Sequence, residues 1–257
     1  MIRSELVGEA GQPRVARIRF DRIEKKNAIT VEMYPMLGNA LAAAEADPQV
    51  RAVLLHGTAE CFTAGNDVHD FVNVPRKPGT SPAQALFRVL PHMKKPVVAA
   101  VGGPAVGIGT TMLLHCDLVY AAPNARFQLP FVPLGIVPEF GSTLLLPLLA
   151  GYQRAAELLL LGQPFTAQKA HEAGIVTAVV PQESLLSEAE KAATALAALP
   201  PESIRLTKQM MKARYAEALA AAIDEETRIF TERLSSPEAK EALSAFLEKR
   251  KPDFSRF

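Results

Sequence analysis

Ala16, Ile18 and Phe20 alternate with Arg17 and Arg19, a period of two that predicts a half-buried strand. Short apolar runs at 52–55, 96–101, 117–121 and 175–180 predict further strands. Between the first two of these strands, Leu37, Ala40, Leu41 and Ala44 recur at i, i+3, i+4 and i+7 and place one apolar stripe on a helix, which Pro35 should kink or delay. Strands alternating with helices predict an α/β architecture with mainly parallel pairing. Beyond Glu183 the strand signals stop. Helices are expected over 184–199, closed by Pro200 and Pro201, then over 203–212, then along a stretch reaching Phe230, and finally from Ser236, where an N-cap serine precedes Pro237 and Glu238. The chain thus divides near 195, into an α/β part (1–195) and a helical part (196–257).

Residues 96–114 carry no charge and approach the ~18-residue length of a membrane span. Pro96, Gly102, Gly103, Pro104, Gly107 and Gly109 break them instead into a buried strand, a turn and the start of a helix. At 257 residues and 49% hydrophobic content, the chain can bury one large core without disulfides or metals. Twenty-eight basic against 27 acidic residues leave no broad field for nucleic acid or an anionic membrane, so an anionic ligand must be met locally. Cys61 and Cys116 form no CxxC pair and no metal-like spacing with the five histidines, which suits a reducing compartment. Arg3, Glu5, Glu9 and Arg14 stand where a secretion signal would be apolar, so a cytoplasmic protein is expected.

Three segments could carry chemistry. Phe62-Thr63-Ala64-Gly65-Asn66-Asp67-Val68 follows one predicted strand, and Gly103-Pro104-Ala105-Val106-Gly107-Ile108-Gly109 follows another and runs into a helix. Glycines there permit tight turns that present amide N–H groups to a developing negative charge. Spacing alone leaves ordinary glycine turns equally open. A dinucleotide fingerprint fits less well, because the third glycine is missing and Phe127 stands where an acidic ribose partner belongs. In the third segment, Glu139 is the one carboxylate between Asp117 and Glu157, set among apolar neighbours from Leu129 to Thr143. Desolvation would suit it to general-base work; alternatively, Pro138-Glu139 simply opens a helix. Arg22, Lys25 and Lys26 read as a solvated cation cluster, and each histidine as a surface or core residue. No GxSxG elbow, GxxxxGK[ST] loop or HExxH pair occurs.

Taken together, these residues resemble the enoyl-CoA hydratase/isomerase, or crotonase, superfamily over nearly the whole chain. The likeness lies in Glu24-Lys25-Lys26-Asn27-Ala28, the 62–68 block, Lys95-Pro96-Val97-Val98-Ala99-Ala100-Val101, Gly107-Ile108-Gly109, Cys116-Asp117-Leu118-Val119 and Ser244-Ala245-Phe246-Leu247-Glu248-Lys249-Arg250. It implies a crotonase-type spiral of ββα units over 1–195 and a C-terminal helical region over 196–257 that covers the site and builds a homotrimer or a hexamer of paired trimers. It also implies a coenzyme A thioester as substrate, with no separate cofactor and no metal. By that likeness the amides of Asn66 and Ile108 hold the thioester oxygen as it becomes an enolate. Ala64, Asp67 and Val68 line the adenine pocket, Gly107 is a further substrate-binding position, Lys25, Lys26 and Ala28 lie near the phosphates and adenosine, and Phe230, Phe246 and Lys249 reach ligand from the C-terminal part.

Departures from the family pattern bear on the reaction. Hydratases of this family use two glutamates, and the matching positions here are Thr111 and Phe131, neither of which can exchange a proton usefully. Glu139 remains, and Pro138-Glu139-Phe140-Gly141-Ser142 is similar to the same stretch of peroxisomal-type Δ3,Δ2-enoyl-CoA isomerases, as are the 62–68 block and residues 199–205. The expected activity is therefore isomerisation of 3-enoyl-CoA to trans-2-enoyl-CoA. Hydration or another crotonase reaction is the alternative, and a catalytically silent CoA-thioester binder or assembly protein is the alternative from a different class. Gly102-Gly103 replaces the Asn-Gly common before the second turn, which should change a turn hydrogen bond rather than the chemistry.

Overall fold

The computed structural model describes residues 1–9, 12–67, 69–70 and 81–257. Strands β1 (Ile2–Val7), β2 (Arg14–Phe20), β3 (Val50–His56) and β4 (Val97–Val101) begin a six-stranded sheet. A short second sheet holds β5 (Pro104–Val106), β7 (Arg126–Gln128) and β8 (Phe165–Thr166), while β6 (Leu118–Ala121) and β9 (Ala178–Val179) complete the first. The order in the large sheet is β1-β2-β3-β4-β6-β9, antiparallel only between β1 and β2.

The central strands are apolar at nearly every position because both their faces are covered, the usual condition of parallel sheets. Val53, Leu55, Val97, Ala99 and Val101 face the main core together with Leu37 and Leu41 of helix α1 (Met33–Ala46). Ala52, Leu54, Val98 and Ala100 face the other way. Helices α2 (Gln84–Phe87), α3 (Ile108–Thr111), α4 (Ser142–Ala150), α5 (Tyr152–Leu161) and α6 (Ala167–Glu172) lie between strands, and α7 (Leu185–Ala198) covers the second face through Leu185, Ala189, Ala193 and Ala197, one residue per turn. Helices α8 (Pro201–Ala213), α9 (Ala216–Arg233) and α10 (Pro237–Leu247) close the chain. The mixed α/β core with C-terminal helices is the fold class read from the sequence. No helix among the described residues is long and apolar enough to cross a membrane.

Local differences from the sequence reading have physical reasons. Pro35 neither delays nor ends α1, which starts at Met33. As the third helical residue, Pro35 lacks an N–H that has no acceptor in a first turn anyway. Helix α8 begins at Pro201 rather than 203, with proline in the position that suits it. Ser236 does cap α10, its Oγ accepting the Ala239 N–H at 3.1 Å. At Gly102 an added Cβ would lie 2.5 Å from the Ala59 carbonyl oxygen, so the residue is glycine because the 58–60 backbone passes against it.

Candidate active site

The two glycine turns are laced together by main-chain bonds. The Phe62 and Thr63 N–H groups both donate to the Pro104 carbonyl, at 3.1 and 3.0 Å, and Val106 N–H returns to the Thr63 carbonyl at 3.1 Å. On the other flank Ala64 N–H donates to the Lys26 carbonyl at 2.9 Å, and Ile29 bridges Asn66 in parallel fashion. Asn27, fully buried with φ of +54°, donates its amide to the Cys61 and Phe62 carbonyls at 3.0 and 3.1 Å. The turns touch so closely that a Cβ on Gly65 would lie 2.6 Å from the Val106 carbonyl oxygen, and φ there is +87°. Glycine is required on both counts.

This lacing leaves two donors unused. Gly107 N–H donates to the Gln128 carbonyl, and its own carbonyl accepts Thr110 and Thr111, which starts α3. Ile108 is then the first helical residue, one of the four whose N–H finds no intrahelical acceptor. The Ile29–Asn66 bridge uses the amides of Ile29 and Asp67 and passes over that of Asn66. Among the described residues, neither the Asn66 nor the Ile108 main-chain N–H donates to a protein acceptor. Two such donors on touching turns, one at a helix start, are the elements of an oxyanion site.

Asn66 stands between two cavities. The larger, about 370 Å³, is lined by Ala64, Gly107, Phe131, Ile136 and Phe246 among others, mostly apolar, with Gln128 and Arg250 as polar members. The smaller, about 10 Å³ and so the size of one water molecule, is lined by Tyr34, Asn66, Asp67, Asp70, Glu139 and Phe230, among others. Tyr34 OH donates to Asn66 Oδ1 at 2.5 Å, and Asp70 accepts the Val31 N–H at 2.8 Å. Glu139 is 3% exposed. A buried carboxylate and the Asn66 turn therefore border one narrow space, and Asn66 also lines the larger, mostly apolar one.

The segment that carries Glu139 is held from three sides. Ser142 Oγ donates to the Glu139 carbonyl at 2.7 Å. Phe140 and Gly141 are both left-handed, with φ of 63° and 70°. His115, at the end of the short turn that continues α3, donates from Nε2 to the Phe140 carbonyl at 2.8 Å and packs its ring on the Phe140 ring, which stacks in turn on Phe87. Burial pushes the His115 pKa down to about 3, so the ring is neutral and donates from a single nitrogen. From α9, Glu226 accepts Gly141 N–H at 2.5 Å, Thr143 N–H at 2.8 Å and Thr143 Oγ1–H at 2.5 Å. Glu139 does not open a helix: α4 begins at Ser142, and the carboxylate on its N-terminus is Glu226.

The other predicted residues are placed unevenly. Lys25 and Lys26 are exposed and Ala28 is half-buried, on the loop that Asn27 fastens to the Asn66 turn. Arg22 is no part of a solvated cluster, since it pairs with Asp67 at 2.7 Å and donates to the Ala28 carbonyl. Burial would raise the Asp67 carboxyl, but the Arg22 and His69 hydrogen bonds outweigh it and hold the pKa below the usual range. Asp67 lines the smaller cavity and Ala64 the larger, while Val68 lies outside the described residues. Phe230 meets Glu139 in the smaller cavity and Phe246 lines the larger. Lys249 borders neither cavity and is exposed, with φ of 55°. Thr111 and Phe131 are both buried.

Sequence reasoning missed Tyr34, His115 and Glu226. Glu226 had a legible signal, because Leu219, Ile223, Glu226 and Phe230 fall on one helical face and put a carboxylate in an apolar stripe. Tyr34 and His115 had none beyond burial.

The family model for enoyl-CoA hydratase/isomerase matches residues 10–256. The 1,2-epoxyphenylacetyl-CoA isomerase of Escherichia coli is 36% identical over 94% of this chain and 95% of that protein. Human enoyl-CoA delta isomerase 2 is 36% identical over 92% of this chain and 61% of that longer protein. The structure of Pseudomonas aeruginosa OdaA superposes with a TM-score of 0.89 at 46% identity, covering 95% of this chain and 98% of that one. Names of further relatives divide between hydratases and isomerases. The chain therefore belongs to the enoyl-CoA hydratase/isomerase family of the crotonase superfamily, whose members process acyl-CoA thioesters.

Proposed function

We propose that this enzyme isomerises 3-enoyl-CoA to trans-2-enoyl-CoA with Glu139 as its single acid/base. The Glu139 carboxylate takes a proton from C2, and the C2–H electron pair moves into a dienolate whose oxygen is met by the Asn66 and Ile108 amides. The carboxylic acid so formed returns the proton to C4, and the double bond now lies between C2 and C3 in conjugation with the thioester. The observation that carries this reading is that Glu139 is buried and borders one narrow cavity with Asn66; the family resemblance adds that Thr111 and Phe131, neither able to exchange a proton usefully, match the two hydratase glutamates. Removing one oxyanion donor typically raises a barrier by ~2.7–4 kcal/mol, so two donors account for much of the acidity that C2 must acquire. The larger cavity, mostly apolar and lined in part by Phe246, suits the flexible arm or the acyl chain of the thioester. Lys25 and Lys26, both exposed, would meet its phosphates from solvent.

The test follows conjugation by ultraviolet absorbance for wild type and Glu139→Gln on 3-enoyl-CoA. A loss of about 10²–10⁴-fold in kcat is expected, the usual worth of a general base. Wild-type turnover in the variant would remove Glu139 from the chemistry. Hydration of trans-2-enoyl-CoA by the wild type should be far slower than isomerisation, and the opposite ranking would favour a hydratase. Acyl-CoA binding without proton exchange at C2 would favour a silent binder.

A further inference from the structure

We infer that Glu226 is the positioning residue that fixes the Glu139 segment over the oxyanion turns, and that α9 is thereby part of the catalytic apparatus rather than a cover. The inference rests on the role proposed for Glu139. Three main-chain and side-chain donors, Gly141 N–H, Thr143 N–H and Thr143 Oγ1–H, converge on one buried carboxylate 83 to 85 residues away in sequence. These donors sit two and four residues after Glu139. From Glu139 the backbone turns through two successive left-handed residues, Phe140 and the first donor Gly141 itself, a conformation that phenylalanine adopts only when its surroundings impose it.

The same helix face supplies the rest of the seat. A Cβ on Gly141 would fall 2.3 Å from Leu219 Cδ1 and 3.3 Å from Ile223 Cγ1, so α9 lies directly on the turn. One helical turn beyond Glu226, Phe230 borders the cavity that holds Glu139. On the opposite side His115 holds the Phe140 carbonyl. Released from Glu226, the 140–143 backbone would lose its hydrogen-bonded anchor on the α9 side, keeping only the packing of Leu219 and Ile223 there, and would retain the hydrogen bond on the α3 side. Glu139 would then pivot rather than detach, and misplacement of a base by an ångström lowers turnover without touching the groups that bind the thioester.

Burial raises the Glu226 pKa despite its three donors, so its ionised form is costly at neutral pH. A neutral isostere therefore has a compensating gain, and Glu226→Gln should fold. Its single carbonyl oxygen can still accept from one or two of the donors.

The experiment measures kcat and KM for isomerisation, and the binding of a non-reactive acyl-CoA by calorimetry, in wild type, E139Q, E226Q, E226A and Thr143→Val. Expected are a kcat for E226A lower by about 10²-fold with KM and acyl-CoA affinity within about twofold of wild type, partial recovery in E226Q, and a smaller deficit in T143V that does not add to that of E226A. If E226A does not fold, as judged by circular dichroism, E226Q and T143V carry the test, each expected to lower kcat several-fold at unchanged KM. Wild-type kcat in folded E226A, or in both milder variants, while E139Q is inactive, would overturn the role of Glu226 alone. Wild-type kcat in E139Q would instead overturn the reading beneath it.

Discussion

At the scale of single residues, the site depends on groups that must be buried neutral or that must be glycine. His115 is the clearest of the first kind. Its folded pKa of about 3 lies below the ordinary histidine value, so between those two pH values an unfolded chain binds a proton that the native chain refuses. Stability from this group is full above about pH 6.5 and falls as the solution is acidified toward 3, by up to about 1.4 kcal/mol per pH unit. Urea unfolding of wild type and His115→Gln at pH 7 and pH 5 should show a smaller acid loss in the variant, which keeps an N–H for the Phe140 carbonyl and cannot titrate. Equal losses would assign the acid sensitivity elsewhere. Gly103 is of the second kind, with φ of +61° and a notional Cβ 1.8 Å from the Glu60 carbonyl oxygen. Gly103→Ala should cost about 3 kcal/mol or more, read as a lowered urea midpoint. These requirements are partly visible in sequence. A glycine between a strand and a helix announces a turn, whereas the left-handed Phe140 announces nothing, because contacts distant in sequence fix it: packing against His115 and Phe87, and the hold of Glu226 on Gly141.

At the scale of elements, legibility follows length and burial. The runs in β3 and β4 stand out because parallel strands covered on both faces must be apolar throughout. Strands β5, β7 and β8 are three, three and two residues long, too short to show a period, so the second sheet leaves no signal in the sequence. Helix α9 was foreseen as a helix but not as the support of the Glu139 segment, since its partners lie more than eighty residues away and no local pattern encodes that distance. In the loop from Ile23 to Ala28 the lysines are the legible feature of the sequence, yet the structural weight rests on Asn27. That division gives a separable prediction. Lys25→Ala/Lys26→Ala should raise KM for acyl-CoA by about 2- to 10-fold at unchanged kcat, as expected for exposed charges that meet a phosphate. Asn27→Ala should lower kcat as well, because it unties the Asn66 turn from that loop. Equal effects of both changes on kcat and KM would contradict the division.

At the scale of the molecule, apolar surface remains exposed where α4 meets α5: Leu148, Leu149, Tyr152, Leu160 and Leu161 are each more than half exposed. Exposed apolar side chains in such number commonly mark a contact between proteins when they join into one patch. Association into trimers or paired trimers, which the family resemblance implies, would cover such surface. Sedimentation equilibrium should return three or six chain masses, and a monomer at micromolar concentration would contradict that expectation. The architecture as a whole joins two amides on touching turns to one buried carboxylate held between α3 and α9. If that carboxylate alone carries the proton, isomerisation of 3-enoyl-CoA bearing deuterium at C2 should place part of the label at C4 of the product, detected by mass spectrometry, because Glu139 is shielded from solvent while it holds the label. Complete loss of the removed deuterium to water, with none at C4, would contradict a one-base shuttle.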